Sequence, residues 1–238
     1  MTGSRIPKLS GFSLNRNGLK LIALVSMTIG HVGLIFFPTE PGFRIVGRLA
    51  FPLFAYMVAE GCRYTRNRKR YLGLIWGLAL VCQTVYSLYA KDLYLCVLVT
   101  FGLSIPTVFA LRDWRTGPGW WNRRLIWLIW WIAVDAGICL GLPKLLAPWG
   151  FAVDYGFWGV FLPVLLACSD RRLIQLALAA VGFTLLSWSM GGIQWACLAA
   201  LPILALYNGT RGTWRLKYLF YIYYPAHLVV LEGLAMLI

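Results

Sequence analysis

The sequence predicts an all-α fold: a polytopic membrane helix bundle of about nine spans, forming a single transmembrane domain over residues 1–238. Three observations carry this expectation. Hydrophobic residues make up 60% of the chain and charged residues 13%, about half the roughly 25% charge of a soluble domain. Apolar runs close to the length of about 20 residues that crosses a bilayer as a helix recur along the whole sequence. The 22 Lys and Arg residues, set against 8 Asp and Glu, cluster in alternate connections between those runs, as the positive-inside rule requires.

A basic cytoplasmic tail, residues 1–19, leads into the first run at 20–37. No small-residue cleavage site follows Phe37, so this run is expected to stay as a span rather than act as a signal peptide. The second run covers 45–62, the third 71–89 and the fourth 93–111. The fifth, 124–142, is preceded by Trp120 and Trp121 and followed by Trp149, which read as interfacial anchors. Runs at 153–168, 172–189, 192–207 and 217–237 complete the set. Pro52, Pro106, Pro163, Pro202 and Pro225 fall inside runs, where membrane helices tolerate kinks.

With the N-terminus in the cytoplasm, eighteen of the 22 basic residues fall on the inner side. Arg44, Arg48, Lys91 and Lys144 are left on the outer side or in the outer half of the second span. An odd number of spans then takes the C-terminus outside. Topology accounts for the net charge of +14, which removes the argument for nucleic acid as a partner. No internal repeat supports an inverted-repeat transporter. The six cysteines include no C-x-x-C pair and read as small core residues, with no metal site and no obligatory disulfide expected.

Chemistry is sought in the few ionisable groups inside apolar runs, because such groups are costly there and mark function. The two histidines both qualify: His31 toward the outer half of the first span, and His227 in the last, beside Pro225. Histidine titrates nearest physiological pH, which suits a base. Bonding to a neighbouring helix is the competing, purely structural role. Arg48 sits at the edge of the second span, where it can hold an acyl oxygen, a carboxylate or a phosphate, snorkel to the interface, or pair with an acid. Glu60 lies twelve residues on, about 18 Å along a helix, so it is not expected to pair with Arg48; a salt bridge to the basic run 63–70 is its expected role. Asp154 and Tyr155 open the sixth span, where Asp commonly caps a helix. Asp135 lies mid-span and needs a partner. Asn208, Gly209 and Arg211 read as a cytoplasmic turn.

Several of these residues belong to longer motifs. Met27-Thr28-Ile29-Gly30-His31-Val32-Gly33, Gly47-Arg48-Leu49-Ala50-Phe51-Pro52-Leu53-Phe54-Ala55-Tyr56, Ala59-Glu60-Gly61, Asp154-Tyr155-Gly156, Tyr207-Asn208-Gly209 and Phe220-Tyr221-Ile222-Tyr223-Tyr224-Pro225-Ala226-His227-Leu228 stand in this order. Together they resemble the TraX family from about residue 19 to the C-terminus. The resemblance implies a multi-pass inner-membrane N-acetyltransferase, with acetyl-CoA as co-substrate and the N-terminal amine of a pilin or similar peptide as acceptor. It also implies similarity to the broader class of multi-span membrane acyltransferases. Two positions depart from the family pattern: Gly30 stands where the family carries Asp before the histidine, and Cys96 where it carries Asn.

Acyl transfer to an amine needs a base, a contact for the carbonyl oxygen, and a grip on the donor. On this reading His31 or His227 is the base and Arg48 the carbonyl contact. Arg63, Arg66, Arg211 and Asn208 are candidates for the CoA side, and Asp154, Tyr155 and Glu60 for support. If Gly30 cripples the site, restoring an acid there (Gly30→Asp) is expected to raise activity. The alternative reading is a non-catalytic assembly partner of a pilus or secretion system, or a proton-coupled transporter.

Overall fold

The computed structural model describes residues 13–89, 92–119, 121–210, 212 and 217–237. Lys91, Trp120 and Arg211 lie outside the described residues. The described chain is a helix bundle. In order it comprises α1 (Arg16–Phe36), α2 (Pro41–Gly47), α3 (Ala50–Tyr64), α4 (Arg68–Tyr89), β1 (Tyr94–Leu95), α5 (Val97–Arg115), α6 (Arg123–Ala136), α7 (Leu142–Leu145), β2 (Ala152–Val153), α8 (Gly156–Ala167), α9 (Arg172–Met190), α10 (Ala200–Leu206) and α11 (Lys217–Ala235). A π-helical turn at Gly137–Gly141 joins α6 to α7, and a 3-10 segment, Gly192–Ala199, leads into α10.

Six helical segments among the described residues are long and apolar enough to cross a membrane: Arg16–Phe36, Pro41–Tyr64, Arg68–Leu88, Val97–Arg115, Arg123–Leu145 and Arg172–Met190. Two of the shorter expected spans fold differently from continuous spanning helices. The sixth gives Gly156–Ala167, and the eighth gives the 3-10 and α pair Gly192–Leu206. Backbone geometry explains both. Tyr155 and Gly156 have φ of 62° and 57°, and Gly191 and Gly192 have 67° and 54°; these left-handed values stop a right-handed helix. The outward faces carry exposed Leu80, Trp127, Trp130, Leu173, Val181 and Trp188, an apolar surface that suits lipid rather than water.

Local sequence sets the helix ends. The Asn15 side chain accepts a hydrogen bond from the Gly18 amide and caps α1. Pro41 starts α2, where its missing N–H costs nothing. Pro52 divides α2 from α3: it cannot donate to the carbonyl of Arg48, and its ring crowds that carbonyl. The break therefore falls at Arg48–Leu49 and puts Arg48 at a helix end rather than inside one.

α5 is the hub of the bundle and packs against α3, α4, α6 and α8. Ile105 and Val108 on it are fully enclosed. Cys62, Cys82, Cys139 and Cys197 are buried among apolar neighbours, as small core residues. β1 and β2 pair in parallel, Tyr94 with Ala152 and Leu95 with Val153. This short ladder ties the connection after α4 to the one before α8.

Candidate active site

A cavity of about 500 Å³ opens between α1, α2–α3, α4, α5 and α11. On α1 it is lined by Leu24, Met27, His31, Leu34 and Ile35, and on α11 by Tyr224, Leu228 and Glu232, in each case one face at helical spacing. Its polar groups gather toward the β1–β2 end: His31, Arg44, Arg48, Tyr94, Asp154, Tyr155 and Glu232. The other limb is apolar and reaches Leu24, Val58 and Ile75.

Two glycines bring the site together. A Cβ on Gly30 would lie 2.8 Å from the Gly47 Cα, and a Cβ on Gly47 would lie 2.6 Å from the Gly30 Cα. Only two glycines allow α1 and α2 to cross so closely. His31 and Arg48, one residue past each glycine, both end up on the cavity wall. The acid expected to restore activity at position 30 has no room in this crossing, because its Cβ would meet backbone. The expectation that Gly30→Asp raises activity is therefore revised.

The histidines form a pair. His227 Nε2 lies 3.4 Å from His31 Nδ1, and the rings meet edge to face with centroids 5.0 Å apart. Each Nδ1 also faces a backbone carbonyl one turn earlier: His31 to Met27 at 2.9 Å and His227 to Tyr223 at 3.0 Å. A carbonyl only accepts, so each Nδ1 carries the proton and each Nε2 a lone pair. His31 donates mainly to Met27, and His227 Nε2 serves as a second acceptor for the same N–H. The Nε2 lone pair of His31 is left for the cavity. His31 lines that cavity, whereas His227 is 6% exposed and stands behind it. The Tyr223 ring stacks on His227, 4° from parallel, and its hydroxyl is 2.7 Å from Thr28 Oγ1, which fixes α11 against α1.

Asp154, in the turn between β2 and α8, accepts a hydrogen bond from the Tyr94 hydroxyl at 2.7 Å, while its backbone carbonyl accepts from Thr100 at 2.7 Å. The Arg48 charge acts on the same carboxyl. The Arg48 guanidinium also stands near Tyr155 on the cavity wall. Tyr155 is the one non-glycine residue with positive φ among those described, and its ring stacks on Phe51 at 3.7 Å. A non-glycine residue held there is strained and must be fixed by its surroundings.

The remaining expected residues lie at the other end of α3. Glu60 is bound by Arg16 Nε at 3.0 Å and by the Tyr207 hydroxyl at 2.7 Å. Its partner is therefore in α1 and not in the basic run 63–70, a correction that follows from α1 and α3 running side by side. Arg63 pairs with Asp170 at 3.2 Å, and Arg66 is exposed. The Asn208 side chain closes its own turn, accepting from the Thr210 amide at 2.9 Å and hydroxyl at 2.7 Å. Arg211 lies outside the described residues. Asp135 finds its partner in Thr107, which donates at 2.6 Å. Sequence reasoning missed Glu232 and Arg44 as cavity residues. Glu232 carried a readable signal, a lone carboxylate in the last apolar span. The enclosure of Arg44 has no sequence signature.

The family model described as TraX protein matches residues 15–235. A probable fimbrial assembly protein, FimC of serogroup H1, from Dichelobacter nodosus is 27% identical over 90% of this chain and 92% of its own length. Protein TraX of Escherichia coli is 34% identical over 31% of this chain and 30% of its own length. No solved structure matches the chain.

Proposed function

The chain belongs to the TraX family, and from that premise we propose that it is an integral membrane N-acyltransferase, taking acetyl-CoA as donor and the N-terminal amine of a pilin or similar membrane-associated peptide as acceptor. One observation carries the reading: His31 presents a free Nε2 lone pair to a cavity that also holds Arg48. His31 takes the amine proton, and Arg48 stabilises the negative charge that develops on the thioester oxygen. His227 and the Met27 carbonyl hold the ring in the tautomer that leaves Nε2 unprotonated.

The donor's phosphates are drawn to the basic end of α3, where Arg66 is exposed and Arg63 is shared with Asp170. Between Arg48 and Val58 the cavity extends about 15 Å by helical rise, which gives the donor's arm a path toward His31. The protein sits in the inner membrane with nine passes and its N-terminus in the cytoplasm, the arrangement that leaves the fewest basic residues outside.

The experiment is direct. Purified protein is given labelled acetyl-CoA and a peptide with a free N-terminal amine. Transfer is expected from the wild type, with a loss of about 10²–10⁴-fold in His31→Ala, the usual contribution of a general base. Near-normal turnover in His31→Ala would sink the assignment. The long alignment with a fimbrial assembly protein favours one second reading, a non-catalytic partner in pilus assembly. Absence of measurable CoA binding by the wild type would decide for that partner.

A further inference from the structure

We propose that Glu232 is the anchor for the acceptor, holding the ammonium group of a peptide N-terminus against His31. The inference rests on the acyl-transfer reading and names a residue in that site which recognises the amine. Glu232 stands on the cavity stripe of α11 with Tyr224 and Leu228, and its charge acts on His31. Among the described residues its carboxylate enters no ion pair and no side-chain hydrogen bond. The other cavity acid is already engaged: Asp154 accepts from Tyr94 and faces Arg48. A carboxylate on the cavity wall without a partner has its acceptor lone pairs free, and an incoming cation would pair with it.

The chemistry of the acceptor calls for such a group. An N-terminal amine arrives mostly protonated and is not a nucleophile in that form. Glu232 binds the ammonium, and one N–H proton passes to His31 Nε2. The freed nitrogen lone pair attacks the thioester carbonyl carbon and forms the C–N bond. The C–S bond breaks and the electron pair leaves with sulfur; the His31 imidazolium returns its proton to the thiolate, and the regenerated Nε2 then takes the second N–H proton from the new amide nitrogen and releases it to solvent. Glu232 offsets the positive charge of the ammonium as the acceptor binds. A hydroxyl acceptor would bring no charge to match it.

Two short peptides test the assignment. One has a free α-amine and an acetylated lysine, and the other an acetylated α-amine and a free lysine. Binding to detergent-purified protein is followed by calorimetry, and transfer from labelled acetyl-CoA by kinetics. The wild type is expected to bind the free-α-amine peptide in preference. Glu232→Gln should weaken that binding roughly 10- to 100-fold, the usual effect of losing a charged partner. In transfer the acceptor KM should rise by a similar factor, with kcat within about threefold and CoA affinity unchanged. Glu232→Asp should recover part of the loss. An unchanged acceptor KM and affinity in Glu232→Gln, or equal binding of the two peptides, would overturn the proposal. So would equal loss of donor and acceptor binding in both variants with a lowered melting temperature, which marks a structural role. Selective, Glu232-dependent binding without transfer would leave this assignment standing and remove the acyl-transfer reading.

Discussion

At the scale of single residues, the site divides labour between two histidines that the sequence treats alike. His31 keeps an accessible lone pair, whereas His227 spends one nitrogen on Tyr223 and turns the other toward His31. His31→Ala should therefore remove transfer. His227→Ala should cost less, roughly tenfold, the loss of one supporting hydrogen bond. It should also shift the pH–rate profile, because His31 loses the second acceptor for its Nδ1–H; a profile identical to wild type would show that His227 does not position His31. Gly30 answers a different question. Even Gly30→Ala drives a Cβ onto the Gly47 backbone, so about 1–3 kcal/mol of stability should be lost. Gly30→Asp should lower both melting temperature and turnover. Thermal unfolding in detergent alongside a turnover assay checks both.

At the scale of elements, the breaks matter more than the helices. Pro52 separates α2 from α3 and so presents Arg48 at the rim of the cavity. The left-handed Tyr155 and Gly156 start α8 where Asp154 can face Arg48. At the opposite end, Glu60 joins Arg16 of α1 and Tyr207 after α10 to α3. Its side chain is only 9% exposed, so Glu60→Ala strands Arg16 and should cost about 3 kcal/mol, in the range for breaking a buried pair. CoA binding should survive in the protein that remains folded. Selective loss of CoA binding with unchanged stability would instead assign Glu60 to the donor site.

At the scale of the whole molecule, charge distribution gives a measurable outcome. Reporter fusions should place the N-terminus of the chain in the cytoplasm and its C-terminus outside, since each inner connection is basic; both termini on one side would rule out nine passes.

Composition, run length and alternating basic connections were enough to determine that the chain is a helical membrane protein, because a bilayer demands long apolar helices and leaves its charges at the ends. The same physics singled out His31, His227 and Arg48, since few ionisable groups survive inside apolar runs. The motifs placed the chain beside its family. What needed the tertiary structure was every relation across helices. The Gly30–Gly47 crossing joins residues seventeen positions apart by backbone contact, and no local pattern encodes the partner of a glycine. The histidine pair spans 196 positions, and its tautomers follow from carbonyls that only the folded helices aim at the rings. Glu60 looked paired with its basic neighbours in sequence, yet packing gave it Arg16. Identity and cost are properties of single residues and can be read in order along the chain, whereas the cavity exists only where helices remote in sequence meet.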